Sequence, residues 1–77
     1  MDEKQLKEVI ARTLGLELSE VTDKLERNKN EEWDSFNHLM LISEIEKAAG
    51  ISFSTRQIEA IKNVDDLKKA VAQAEKS

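Results

Sequence analysis

The sequence predicts an all-α fold, a small four-helix bundle with a long first loop and a short third helix, on three observations. Apolar residues recur at helical spacing in separate segments. Those segments open on Asp, Ser or Asn at capping positions. Prolines are absent, and the two glycines fall where helices would stop, so no linker or internal repeat stands out. At 77 residues, with Trp33, Phe36 and Phe53 as its only aromatics, the chain 1–77 suffices for a single domain with a modest aliphatic core.

Helix one begins at Asp2, which forms a capping box with Gln5; Leu6, Val9, Ile10 and Leu14 then share a face until Gly15 stops the helix. From residue 16 to residue 33 the periodicity fades and charge crowds in, which predicts a long loop with one helical turn started by Ser19. Loops of this length in compact domains are usually functional or held by packing, and Leu16, Leu18, Val21 and Leu25 are the expected anchors. Helix two starts at Asp34 or Ser35 and ends at Gly50. Ser54 and Gln57 form a capping box for a short helix three running to about Ile61, with Phe53 and Ile58 placed as a hydrophobic staple. Asn63 opens helix four, with Asp65 and Asp66 in its first turn and a buried stripe of Leu67, Ala70, Val71 and Ala74.

Charge and composition exclude several functions. A net charge of −4 opposes the phosphate attraction on which DNA and RNA binding rests, and favours partners with basic patches instead. The absence of cysteine removes disulfides and thiolate metal sites, so the cytoplasm is the expected compartment. No run reaches the roughly 18 apolar residues of a membrane span, and the opening MDEKQLKE is too charged for a signal peptide, so a soluble protein without membrane insertion is expected. Glu31, Glu32 and Asp34 lack the spacing of a calcium loop. Lys24, Arg27 and Lys29 are diluted by Asp23 and Glu26 and read as solvated. With only Gly15 and Gly50 present, no glycine-rich phosphate loop exists.

Helix two holds the unusual feature, because it is apolar on two sides. At about 100° per residue, Leu41, Ile42, Ile45 and Ala49 make a core face. Phe36, Met40, Ser43 and Lys47 fall roughly opposite, with Leu39 and Glu46 on their flank. Either the loop folds over Phe36 and Leu39, or Phe36, Leu39 and Met40 form an exposed interaction patch. Ser35 also has two readings: a helix cap, which chemistry alone favours, or a reachable hydroxyl carrying a phosphodiester next to the positive end of the helix. His38, three residues further on, is no catalytic base for Ser35. It falls towards the core, lacks an orienting third group and has no substrate cleft, so packing or capping is expected, with the loop's acids as local partners.

The segment DSFNHLMLISEIEKAAGISFSTRQIEAIKNVDDLKKAV resembles an acyl carrier protein of the free-standing bacterial type, and LERNKNEEWDS resembles the loop that leads to that family's attachment site. The likeness spans essentially the whole chain: a Ser motif opening the second helix, a Gly-Ile-x-Phe turn, a short third helix and a closing NVDDL helix. It implies a four-helix bundle of acyl-carrier type and a phosphoprotein of lipid metabolism. The resemblance implies that Ser35 carries phosphopantetheine taken from coenzyme A and that Asp34 completes the motif, with Phe36 where the family has leucine. The protein is then no enzyme but a monomeric carrier. It holds acyl groups as thioesters for acyl-transferring, acyl-activating or condensing enzymes after a phosphopantetheinyl transferase has loaded it.

The family docks its partners on helix two, which implies contacts at Phe36, Asn37, Leu39, Met40, Ser43, Glu44, Glu46 and Lys47. Asn37 and Met40 stand where the family often has acids, Lys47 replaces another, and Glu44 and Glu46 remain. General fatty acid biosynthesis depends on an acidic helix two, so a specialised lipid or secondary pathway is expected. The resemblance also gives Leu41, Ile42, Ile45, Ile58 and Ile61 a second use beside core packing, sheltering an acyl chain. Two rivals stay open: an aminoacyl carrier of the D-alanyl or peptidyl kind, the peptidyl kind usually having glycine-rich residues before the serine where Glu32, Trp33 and Asp34 stand here, and a non-carrier helical adaptor binding a partner helix through Phe36, Leu39 and Met40.

Overall fold

A computed structural model describes residues 1–76, with the four helices α1 (Glu3–Leu14), α2 (Ser35–Ala49), α3 (Thr55–Ala60) and α4 (Val64–Glu75), and a 3₁₀ turn at Leu18–Glu20. Their ends follow the expected capping chemistry. The Asp2 carboxylate accepts the Gln5 amide at 2.7 Å, and the Gln5 side chain accepts the Asp2 amide in return. Ser54 and Gln57 exchange the same pair of bonds ahead of α3. Asn63 accepts the Asp66 amide at 2.7 Å, and Asp65 and Asp66 lie in the favourable first turn of α4. Gly15 and Gly50 close α1 and α2 in the left-handed region, at φ 72° and 66°.

The core is one cluster drawn from α1, α2, α4, the loop and the residues that flank α3. It takes Leu6, Val9, Ile10, Ala11 and Leu14 from α1, Leu41, Ile42 and Ile45 from α2, and Val64, Leu67 and Val71 from α4, with Phe53 and Ile61 flanking α3. Ile58, Ala70 and Ala74 pack against its edge, and Ala49 is half-buried. Val21 and Leu25 anchor the loop and Leu16 packs against the core, as expected.

The loop corrects two expectations. Its helical turn starts at Leu18, with Glu17 in the cap position and the Glu20 carboxylate accepting the Glu17 amide at 2.9 Å, so Ser19 lies inside the turn. That register directs Leu18 outwards at 45% exposure, and it anchors nothing. Trp33, the last loop residue, is fully buried and is the largest side chain of the core.

Backbone bonds tie the loop to the connection between α3 and α4. Arg27 donates to the Lys62 carbonyl at 2.8 Å and Val64 to the Leu25 carbonyl at 3.2 Å, on either side of a bridge between Glu26 and Asn63. The Arg27 guanidinium donates to the Glu59 carbonyl at 3.0 Å, so this residue of the small basic cluster is structural as well as charged. One turn further along α4, the Lys68 ammonium meets Glu3 at 2.7 Å and Asp23 at 2.9 Å, joining α4, α1 and the loop. The terminal ammonium of Met1 pairs with Glu75, which adds a second link between the start of the chain and α4, at the helix's C-terminal end. Among the described residues, no helix is long and apolar enough to cross a membrane.

Candidate functional site

Asp34 and Ser35 divide the work at the start of α2. The Asp34 carboxylate accepts the Asn37 amide at 2.7 Å and its carbonyl accepts the His38 amide at 2.9 Å, so Asp34 is the N-cap. Ser35 is the first helical residue, is exposed, and its hydroxyl makes no hydrogen bond to the described residues. A serine at this position need not cap the helix when the preceding acid already does. The amides of the first helical turn lack intrahelical acceptors, and together with the helix dipole they give the surroundings of this hydroxyl a positive potential.

The second apolar side of α2 is open to solvent. Phe36 is 70% exposed, Leu39 60% and Met40 50%, so the loop does not cover them. The polar residues of this helix are less free than the sequence implies. Lys47 pairs with Glu44 at 3.7 Å, the half-buried Glu46 accepts the Phe53 amide at 2.8 Å, and Asn37 donates to the Glu32 carbonyl at 2.9 Å. Ser43 is exposed beside them. The Glu46 bond folds the chain back after Gly50, so this acid serves the turn into α3.

Beneath Ser35 lies a buried polar relay that sequence reasoning missed. The Trp33 indole Nε1 donates to His38 Nδ1 at 2.9 Å, with the ring centroids 5.9 Å apart, and His38 Nε2 meets the Ile58 carbonyl at 2.8 Å. An indole N–H can only donate and a carbonyl can only accept. His38 is therefore neutral, with its proton on Nε2. Burial, at 2% exposure, pushes the imidazole below its ordinary value; the Ile58 carbonyl works in the opposite direction, and the Arg27 charge adds to the lowering. The loop's acids are not its partners, contrary to expectation, because the ring points inwards. One signal was available: a buried indole needs an acceptor, and the chain's only histidine stands five residues after its only tryptophan, on the core side.

The loop preceding the site is locked in turn. Asn28 adopts φ 68° and donates to the Trp33 carbonyl at 2.6 Å, while Trp33 donates to the Asn30 carbonyl at 3.0 Å. Asn tolerates the left-handed region better than most residues, which suits it to this reversal. Ser35 thus projects from a fixed turn whose inner side is the Trp33, His38 and Ile58 relay. Among the described residues, no group of three or more His, Cys, Asp or Glu is placed to hold a metal ion. No protein-family model and no curated protein matches the chain.

Proposed function

We propose that this protein is an acyl carrier, with Ser35 as the attachment residue for phosphopantetheine. The observation that carries the reading is an exposed, uncommitted hydroxyl at the start of α2, capped by Asp34 and followed by the exposed apolar side chains of Phe36, Leu39 and Met40. These residues fit the group. The Ser35 hydroxyl is free to form the phosphodiester, and the first-turn amides favour its negative charge. When bound, the arm supplies a terminal thiol that holds an acyl group as a thioester. The chain presents that arm from a fixed turn and leaves bond-making to partner enzymes, and tethering raises the local concentration of cargo at each of them.

His38 supports a carrier over an enzyme, because both of its ring nitrogens are already bonded and neither is free to deprotonate Ser35. In this reading the carrier is a cytoplasmic monomer, loaded by a phosphopantetheinyl transferase. The Glu46 carboxylate is used internally and Glu44 is paired with Lys47, which leaves the face around Phe36, Leu39 and Met40 short of free acids. Such a face suits the enzymes of a specialised pathway better than partners that recognise an acidic helix.

The test is intact mass after incubation with coenzyme A and a broad-specificity phosphopantetheinyl transferase, beside Ser35→Ala. The expected result is a gain of one phosphopantetheinyl group in the wild type and none in the variant. A folded wild type that gains nothing overturns the carrier reading, and makes the exposed patch of α2 the docking face of a helical adaptor.

A further inference from the structure

Among the described residues, His38 is the only titratable side chain that hydrogen-bonds both to the loop and to α3, through Trp33 and the Ile58 carbonyl. We propose that His38 is a pH-set latch: when neutral it clamps the residues preceding Ser35 to α3, and when protonated it releases Trp33. The geometry dictates the direction. A proton taken from solvent adds to Nδ1, the atom that now accepts from the Trp33 indole at 2.9 Å, and turns that contact into two opposed N–H donors. The other ring nitrogen still faces the Ile58 carbonyl at 2.8 Å and donates to it more strongly once the ring is charged. Release is therefore one-sided, with α3 held and the end of the loop freed.

The groups facing the ring do not offset the added charge. The loop brings Arg27, whose positive charge opposes it. On α3, the exposed Glu59 follows Ile58 and its carbonyl is bound by Arg27. On α2 itself, the Asp34 carboxylate is directed to the Asn37 amide. The fully buried residues of α1 and α4 are all apolar, and neither helix buries a charged side chain. Trp33, wholly buried, is two residues from Ser35 and holds the Asn28 and Asn30 turn through its backbone. Its release loosens the turn that presents Ser35. That last consequence rests on the carrier reading; the latch does not.

The test follows Trp33 and His38 by nitrogen and proton NMR across neutral to acid pH, in the wild type and in His38→Gln, whose amide can accept and donate at similar positions without titrating. The expected wild type has an Nε2–H ring at neutral pH. Its indole proton and its Trp33 emission then shift together with the imidazole at one midpoint below 6.5, while helical circular dichroism persists. His38→Gln lacks the shift. An Nδ1–H ring, an indole that ignores the imidazole titration, or helix loss at the same midpoint overturns the latch, and these readouts need only the wild type if the variant fails to fold. Loading of Ser35 by the transferase, taken as the ratio of wild type to His38→Gln, should fall about tenfold one pH unit below the midpoint if only the neutral form is presented well. A ratio that stays flat over that range removes the link to Ser35. No loading at any pH refutes the carrier reading and leaves the NMR result to decide the latch.

Discussion

Thr13 shows at the scale of one residue what the bundle leaves unfinished. Its hydroxyl oxygen is buried and has no hydrogen-bond partner among the described residues. Replacing it by a methyl of the same shape removes that unmet demand, so Thr13→Val should stabilise the protein by about 1 kcal/mol, read as a higher urea midpoint at unchanged slope. Phe36 poses the opposite case, since an aromatic ring at 70% exposure contributes little to the core. Phe36→Ser should leave stability within about 0.5 kcal/mol of wild type while weakening capture by any partner that docks on α2. A loss of more than that in a thermal melt would mean that the ring is structural.

At the scale of the element, helix ends are set by short-range bonds and by backbone freedom. Gly50 has nothing within 4 Å of where a Cβ would stand, yet its φ is +66°. The cost of Gly50→Ala is then conformational, about 1 kcal/mol, and chemical denaturation should show it although no clash exists. These ends were legible in the sequence because a cap and its partner lie three residues apart, as with Asp2 and Gln5 or Ser54 and Gln57. The turn in the loop was less legible. Ser19 was the expected start, but Glu17 holds the cap position, in the register in which Val21 reaches the core and Leu18 does not.

At the scale of the whole molecule, the links between distant segments give stability a pH dependence with a definite sign. His38 is held below its ordinary 6.5, chiefly by burial, so the unfolded chain binds a proton first; stability is full above 6.5 and declines as pH falls towards the folded value. Glu3 and Asp23 are held below their ordinary 4.5 and 3.8, in each case first by the hydrogen bond from Lys68. Their contribution is present at neutral pH and is lost as pH falls through those lowered values. Lys68 is raised, first by the bond to Glu3, so its contribution persists below its ordinary 10.5 and disappears only as pH rises through the raised value. The urea midpoint should thus be flat near neutrality and decline in two stages in acid. The second is the smaller, because the Lys68 cluster is open to solvent and screened. Lys68→Met should suppress the second stage and leave the first.

The sequence by itself determined what depends on neighbours a few residues apart. The four helices and most of their caps, the apolar stripes of α1 and α4 and the core face of α2 all follow from spacing along one chain segment, whereas the choice of Ser35 as candidate residue came from the family resemblance. Tertiary structure decided what depends on segments far apart in sequence. Only the packed bundle shows that the loop leaves Phe36, Leu39 and Met40 uncovered and that Trp33 lies in the core. The same holds for Glu46, which binds the Phe53 amide, and for His38, which reaches a carbonyl twenty residues away. Periodicity can place a side chain on a face of its helix. What meets that face is set by burial, and by the partner that each buried donor or acceptor must find.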